Sequence, residues 1–275
     1  MMDQSEKGDL FRKLHEQPRI FVIPNPWDAG SAKILTSLGF EALATTSAGL
    51  AFSLAKSDGT RSVSREETLK NAEMIVKATS LPVSADLENG YGQDPSTCAE
   101  TILMAAQTGL CGGSIEDTTG DPSNPILPIE LSLARVKAAV EAARSLPFHF
   151  TLTARAENLL HGRPDLEDTI HRLESYAEAG ADVLYAPGLK TKEEILTAVK
   201  AVAPKPLNVV MGLNSAFFSL RELEDLGVRR VSVGSTLARV AYGAFLEAAE
   251  KIKVTGTFNF AADIVPYSKI NGMFK

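Results

Sequence analysis

Cysteine is nearly absent from this chain of 275 residues, which has only Cys98 and Cys111. Two thiols are too few for a disulfide framework or a zinc cluster. Cys98 falls in a helical pattern and Cys111 at a helix-to-strand turn, so both are expected to be buried and reduced. Basic charge is also short. Lys and Arg total 28 against 34 Asp and Glu, a net charge of -6. That balance argues against nucleic acid or an anionic membrane as a partner. No uncharged apolar run is long enough to span a bilayer, and residues 1–8 (MMDQSEKG) have no apolar core of a secretion signal. A soluble, cytoplasmic protein is expected.

What the chain does contain is a cycle. A short amphipathic helix at 9–17 precedes an apolar strand at 20–23, a helix at 31–38, a strand-like run at 41–46 and a small-residue turn, Ser47-Ala48-Gly49. Helix 65–79 then leads to strand 82–86, 95–109 to 112–116, 128–145 to 149–155 and 165–179 to 183–185. Helix 191–202 leads to 207–210 and 217–226 to 231–233, before a last helix over 236–252. Near-copies of one junction recur: Leu38-Gly39-Phe40, Thr108-Gly109-Leu110, Ala179-Gly180-Ala181 and Leu226-Gly227-Val228. Each sets a left-handed glycine at a helix end, followed by an apolar residue that tucks beneath it. Continuous apolar strands alternating with helices imply a parallel sheet covered on both faces. Eight such units predict one (β/α)8 barrel domain over residues 1–275, with a helical tail from about 236. An open doubly wound sheet is the alternative, but no G-x-G-x-x-G follows the first strand. The tail beyond 252, with Phe258, Phe260, Ile264 and Tyr267, is apolar enough to pack on its own barrel or on a neighbouring subunit.

In such a barrel the chemistry lies at the C-terminal strand ends. Those ends carry Asn25 and Asp28, then Thr46 to Gly49, Asp86 and Glu88, Glu116-Asp117, Arg155 and Glu157, Tyr185, Asn208 with Asn214, and Gly234-Ser235. Asp86 and Glu88 are two apart, so on an extended backbone they share a side and repel unless a cation or proton intervenes. Strand-end acids are also ordinary helix caps. With acids closing two successive strands, and neither His nor Cys near, a hard ion such as Mg2+ is the expected occupant. Arg155 reads either as a clasp for a substrate carboxylate or as a partner for Glu157 or Glu116. His161 reads as an acid or base or as a surface residue near Arg163. Tyr185 reads as a pocket wall or a core aromatic. Gly234-Ser235-Thr236 reads as a weak phosphate cradle.

Ser47-Ala48-Gly49-Leu50, Asp58, Asp86-x-Glu88-x-Gly90-Tyr91-Gly92, Ile115-Glu116-Asp117 and Thr153-Ala154-Arg155-x-Glu157 together resemble the isocitrate lyase / phosphoenolpyruvate mutase superfamily. The resemblance spans about residues 15–250 and is nearest to its short phosphonomutase-like and 2-methylisocitrate lyase-like members. It implies a barrel whose last helix is exchanged between subunits of a dimer of dimers. It also implies Mg2+ (or Mn2+) and a small α-oxo or 2-hydroxy acid handled through an enolate. By position, Asp86, Glu88 and Glu116 would hold the metal, partly through water, with Asp58 near it. Ser47, Ala48 and Gly49 would bind the substrate carboxylate. Arg155 would clamp its other end, and Asn208 joins the substrate-binding set.

One loop departs from the pattern. Isocitrate-type lyases resemble one another in a Lys-Lys/Arg-Cys-Gly-His run after strand four, whose Cys supplies a proton. Here the loop is Thr118-Thr119-Gly120-Asp121-Pro122-Ser123-Asn124-Pro125. Asn124 stands at the spacing of the mutases' loop Asn and is a catalytic candidate with Asp58 and Arg155, but Pro122 replaces their Lys. Three readings follow: a carbon–carbon lyase, C–P chemistry of the mutase or phosphonopyruvate hydrolase kind, and a non-catalytic α-keto acid binding protein.

Overall fold

Short apolar runs become parallel strands in the computed structural model, which describes residues 2–59, 62–212 and 217–274. Among the described residues these are β1 (Phe21–Ile23), β2 (Leu43–Ala44), β3 (Val83–Asp86), β4 (Gly112–Glu116), β5 (Thr151–Arg155), β6 (Val183–Tyr185), β7 (Leu207–Val210) and β8 (Arg230–Ser232). The helices between them are α1 (Gln4–Glu16), α2 (Ala29–Ser37), α3 (Ser47–Ser53), α4 (Arg65–Ala78), α5 (Pro95–Gln107) and α6 (Ile129–Arg144). They continue as α7 (Leu166–Glu178), α8 (Lys192–Val202), α9 (Leu220–Asp225), α10 (Thr236–Thr255) and α11 (Tyr267–Gly272). The sheet runs β1-β8-β7-β6-β5-β4-β3-β2, all parallel, so its two ends meet. Ala44 N–H donates to Pro24 O across that seam. Asn25 staples it: its Nδ2 donates to Thr45 O, and its Oδ1 accepts from the amides of Val233 and Gly234. This is a nearly closed (β/α)8 barrel, as the alternation of strand and helix patterns predicts.

The period of two along each strand sorts the interior from the shell. On β5, Leu152 and Ala154 pack outward against helices, while Thr151, Thr153 and Arg155 point inward. Two apolar clusters fill the shell. One is centred on Ile75, Ile102 and Leu152, the other on Leu173, Tyr176 and Ile195. Both cysteines are buried free thiols.

Helix α1 plugs the bottom of the barrel, with Phe11 and Leu14 against Phe21 and Ile23. It starts before residue 9 because Asp3 and Glu6 form a capping box. Gly8 lies on this plug because a Cβ there would stand 2.5 Å from His149 O. Gly8→Ala should therefore destabilise the fold by about 1–3 kcal/mol, although alanine is the better helix former by about 1 kcal/mol. A urea midpoint equal to wild type would refute this packing.

Two further differences from the sequence reading matter. The Ser47-Ala48-Gly49 segment is not a simple turn but the first turn of α3, capped by Thr46, whose hydroxyl accepts from Gly49 N–H. The tail adds a 3-10 turn (Asn259–Ala262) and α11, yet Phe258, Ile264 and Tyr267 stay exposed on this chain. Among the described residues no helix is long and apolar enough to cross a membrane.

Candidate active site

Two adjoining chambers of about 250 and 260 Å³ open at the C-terminal strand ends and share Ser47, Asp58, Arg155 and Leu160. The outer chamber adds Glu88, Glu116, Glu157 and the 118–125 loop. The inner one adds Ala48, Asp86, Tyr185 and Asn208, and it reaches Arg230 on the barrel floor.

Strand β3 ends at Asp86, and the chain then turns sharply. Glu88 adopts a left-handed conformation (φ 48°) rather than continuing the extended strand. A non-glycine residue held there is strained. The strain is compensated because Glu88 N–H donates to Asp86 Oδ1 and Glu88 O accepts from Glu116 N–H. Buried Arg135 on α6 braces the same corner, donating to the carbonyls of Glu116, Asn89 and Gly92. Acids from two strands are thus held by backbone hydrogen bonds and a guanidinium.

Arg155 is the hub. Its Nε donates to Glu157 Oε1 at 2.7 Å, its Nη1 to Asp86 Oδ1 at 3.1 Å, and its Nη2 lies 3.7 Å from Glu116 Oε2. Its guanidinium also stacks 4.9 Å from the centre of the Tyr185 ring. Burial works against the charge on Arg155, but Glu157, Glu116 and Asp86 outweigh it and hold it firmly protonated. The acids are also pushed upward, which for them favours the neutral form. Burial raises Glu116 well above the carboxylate range, and Glu157, Asp86 and Glu88 push it further while Arg155 resists. Burial also lifts Glu157 to about 7, against the pull of Arg155. Asp58 is raised by burial and by Asp86, with Gly59 N–H, Arg155 and the Ser47 hydroxyl opposing. Such a cup is short of positive charge.

These carboxylate oxygens are the donor type a hard divalent ion takes. As the side chains stand, no three His, Cys, Asp or Glu among the described residues converge enough to grip an ion. The Arg155 guanidinium lies 3.1 Å from Asp86 Oδ1 and 3.7 Å from Glu116 Oε2. The donor set fits such an ion in kind.

The other expected residues divide. Ser47 N–H points at Asp86 Oδ2, 3.3 Å away. Ala48 lines the inner chamber, but Gly49 lines neither, and its N–H is engaged by Thr46. A Cβ on Gly49 would meet Thr46 and Trp27 at 2.6 and 2.9 Å, so this glycine permits close packing of α3 rather than contact with a ligand. Asn124 is exposed and lines neither chamber. Its amide oxygen accepts from Arg163, and its loop is a self-bonded hairpin closed by Thr119. Asn208 lies buried on the inner floor. His161 stands at the outer rim, and the Gly234 amide of the supposed phosphate cradle is taken by Asn25. Asn214 lies outside the described residues. Arg135 and Arg230, which the strand-end reading does not name, also build the site.

A match to the family profile of phosphoenolpyruvate phosphomutase covers residues 11–253. The chain belongs to that family. A crystal structure of 2,3-dimethylmalate lyase, a member of the phosphoenolpyruvate mutase/isocitrate lyase superfamily, is 27% identical with a TM-score of 0.87, covering 100% of this chain and 96% of that one. A crystal structure of a protein from Burkholderia cenocepacia J2315, provisionally named a lyase/mutase, is 55% identical with a TM-score of 0.95, covering 98% of this chain and 96% of that one. Oxaloacetate acetylhydrolase, solved with its product oxalate, is 27% identical with a TM-score of 0.89, covering 100% and 95%. The 2-methylisocitrate lyase of Bacillus subtilis (strain 168) is 27% identical over 86% of this chain and 79% of its own length. This phosphoenolpyruvate phosphomutase family member is accordingly a carbon–carbon lyase of the isocitrate lyase type, from a class acting on small carboxylates.

Proposed function

We propose that the chain is a Mg2+-dependent lyase that cleaves a C–C bond in a small α-oxo or 2-hydroxy dicarboxylate through an enolate. One observation carries the reading: the Arg155 guanidinium is set among Asp86, Glu116 and Glu157 at the mouth of a polar chamber. Asp86, Glu88 and Glu116 would hold Mg2+ or Mn2+, with Asp58 alongside, and the ion would supply Lewis-acid stabilisation of negative charge on a substrate oxygen. Arg155 keeps its Nε on Glu157, while its Nη1 and Nη2 edge is placed to turn from the acids onto a substrate carboxylate. Ser47 N–H, released by Asp86, becomes a second fixed donor where charge develops. C–P chemistry has less support, because Asn124 faces Arg163 and Pro122 stands where a Lys would be needed. The exposed apolar residues of α10, Val240, Phe245 and Leu246, support a homo-oligomer, read as a dimer of dimers with that helix exchanged. The buried reduced thiols support a cytoplasmic setting.

The test is an NMR turnover panel with Mg2+ over oxaloacetate, isocitrate, 2-methylisocitrate, 2,3-dimethylmalate, phosphonopyruvate and phosphoenolpyruvate. We expect one carboxylate to be consumed, with the rate falling at least about a hundredfold in Asp86→Ala. Binding of Mg2+ and an α-keto acid without turnover of any compound would replace the lyase by a binding protein. A phosphorus-containing product would replace it by mutase-type chemistry.

A further inference from the structure

The barrel floor holds a charge that the chemistry above does not use. On β8, Val231 packs outward into the shell, and Arg230 with Ser232 points inward to line the inner chamber. Arg230 is only 5% exposed. Arg155 and Arg172, also buried, each pair with acids. Arg230 ends instead on neutral acceptors: Asn208 Oδ1 at 2.8 Å, Thr153 Oγ1 at 3.0 Å and His15 Nε2 at 3.3 Å. His15 accepts there because its Nδ1 bears the proton given to Phe11 O at 2.8 Å, and burial holds its pKa down to about 3, so it is neutral. Burial lowers Arg230 itself to about 9, Arg155 repels it, and among the described residues no carboxylate opposes this fall. Arg230 is therefore still a cation near neutrality, buried with no counter-ion among the described residues.

An unpaired buried charge is expensive unless something of opposite sign comes near it. Here only the chamber can supply it. The hydrogen bonds also dictate which way Asn208 faces. A guanidinium has donors and no acceptor, so the Asn208 carbonyl must turn down to Arg230 and its NH2 up, where one N–H donates to Ser232 Oγ at 3.0 Å. A donor-rich floor with net positive charge beneath it suits an anion. Arg155 stands in the same chamber wall and takes one carboxylate in the proposed reaction.

We infer that Arg230 is a specificity-determining positioning residue: acting through Asn208, it makes the inner chamber prefer substrates carrying a second anionic group over their monoanionic analogues. This rests on the proposed carboxylate lyase reading and names which carboxylates it favours.

Malate and lactate are 2-hydroxy acids that differ by one carboxylate, so their binding isolates the effect. Titration calorimetry with Mg2+ should show wild type preferring malate. Arg230→Met should cut that preference at least tenfold by weakening malate and leaving lactate unchanged. Arg230→Lys should restore part of it, a rescue that a purely structural role would not give by ligand class. Asn208→Asp provides a second route, since it pairs Arg230 internally without emptying the core, and it should erase the preference as well. Equal weakening of both ligands, or an unchanged ratio in Arg230→Met and Asn208→Asp, overturns the inference while leaving the lyase reading in place. Binding of neither acid by wild type overturns both.

Discussion

Arg155→Ala should lower turnover by about a thousandfold or more, since it removes the substrate clasp and a fixed donor aimed at developing charge. The same variant should be less stable. Asp86, Glu116 and Glu157 would then share a buried site with no guanidinium at 3.1, 3.7 and 2.7 Å from them. Removing one partner of such a buried set costs about 3–5 kcal/mol. The deficit should depend on pH in a stated direction. Glu157 sits at about 7 in the folded chain, above its ordinary 4.5, because burial outweighs Arg155. A carboxyl with a raised folded pKa destabilises the fold above that pKa and ceases to do so below the unfolded value. Without Arg155 the folded value climbs further. The gap between variant and wild type should therefore open as pH rises through about 7, where wild-type Glu157 ionises and the variant's does not, and stay level below it. Thermal melts at pH 8 and pH 5 would measure it. Added Mg2+ should recover more stability in the variant than in wild type, because the ion no longer competes with a guanidinium. Turnover within tenfold of wild type would remove Arg155 from the chemistry. A pH-independent gap would remove its electrostatic role.

Sequence legibility followed periodicity. Asp86, Glu116 and Arg155 could be read because strand ends are visible as apolar runs, and a barrel puts chemistry at those ends. Glu88 reads in the sequence as the continuation of an extended strand, whereas the chain turns there, since a left-handed turn at a non-glycine leaves no signature in residue type. Gly49 and Asn124 meet the same limit. Spacing places a residue on a loop or a helix turn, yet it does not say whether its polar groups are already satisfied locally, as Thr46 and Arg163 satisfy these. Arg135 and Arg172 did leave a trace. Each occupies the buried stripe of its helix, Ser132-Arg135-Val136-Ala139 on α6 and Thr169-Arg172-Leu173-Tyr176 on α7. An arginine in an apolar stripe must find acceptors inside. Arg230 left almost none, because an arginine in a three-residue strand reads equally well as an exposed edge.

The largest stability loss outside the chambers is expected at Asp117. Glu116 and Asp117 are neighbours, and consecutive residues leave a strand end in opposite directions. Glu116 faces the outer chamber, whereas Asp117 is buried beneath it and accepts three bonds: from Glu157 N–H at 2.9 Å, Arg172 Nη1 at 3.0 Å and Tyr176 OH at 2.8 Å. Burial and the adjacent Asp117 hold the Tyr176 phenol well above its usual range, so it acts only as a donor. Arg172 keeps Asp168 and Leu127 O if Asp117 is lost, which limits but does not abolish the damage. Asp117→Ala should thus cost about 3–5 kcal/mol, a large share of the roughly 5–15 kcal/mol that holds a domain folded. Asp117→Asn retains the shape and one acceptor and should cost less, about 1–3 kcal/mol. Because Asp117 anchors the backbone of Glu157, and Glu157 anchors Arg155 Nε, the asparagine variant should also lose activity while remaining folded. Urea unfolding ranks the two variants, and an alanine variant within about 1 kcal/mol of wild type would show that α7, not this carboxylate, carries the corner.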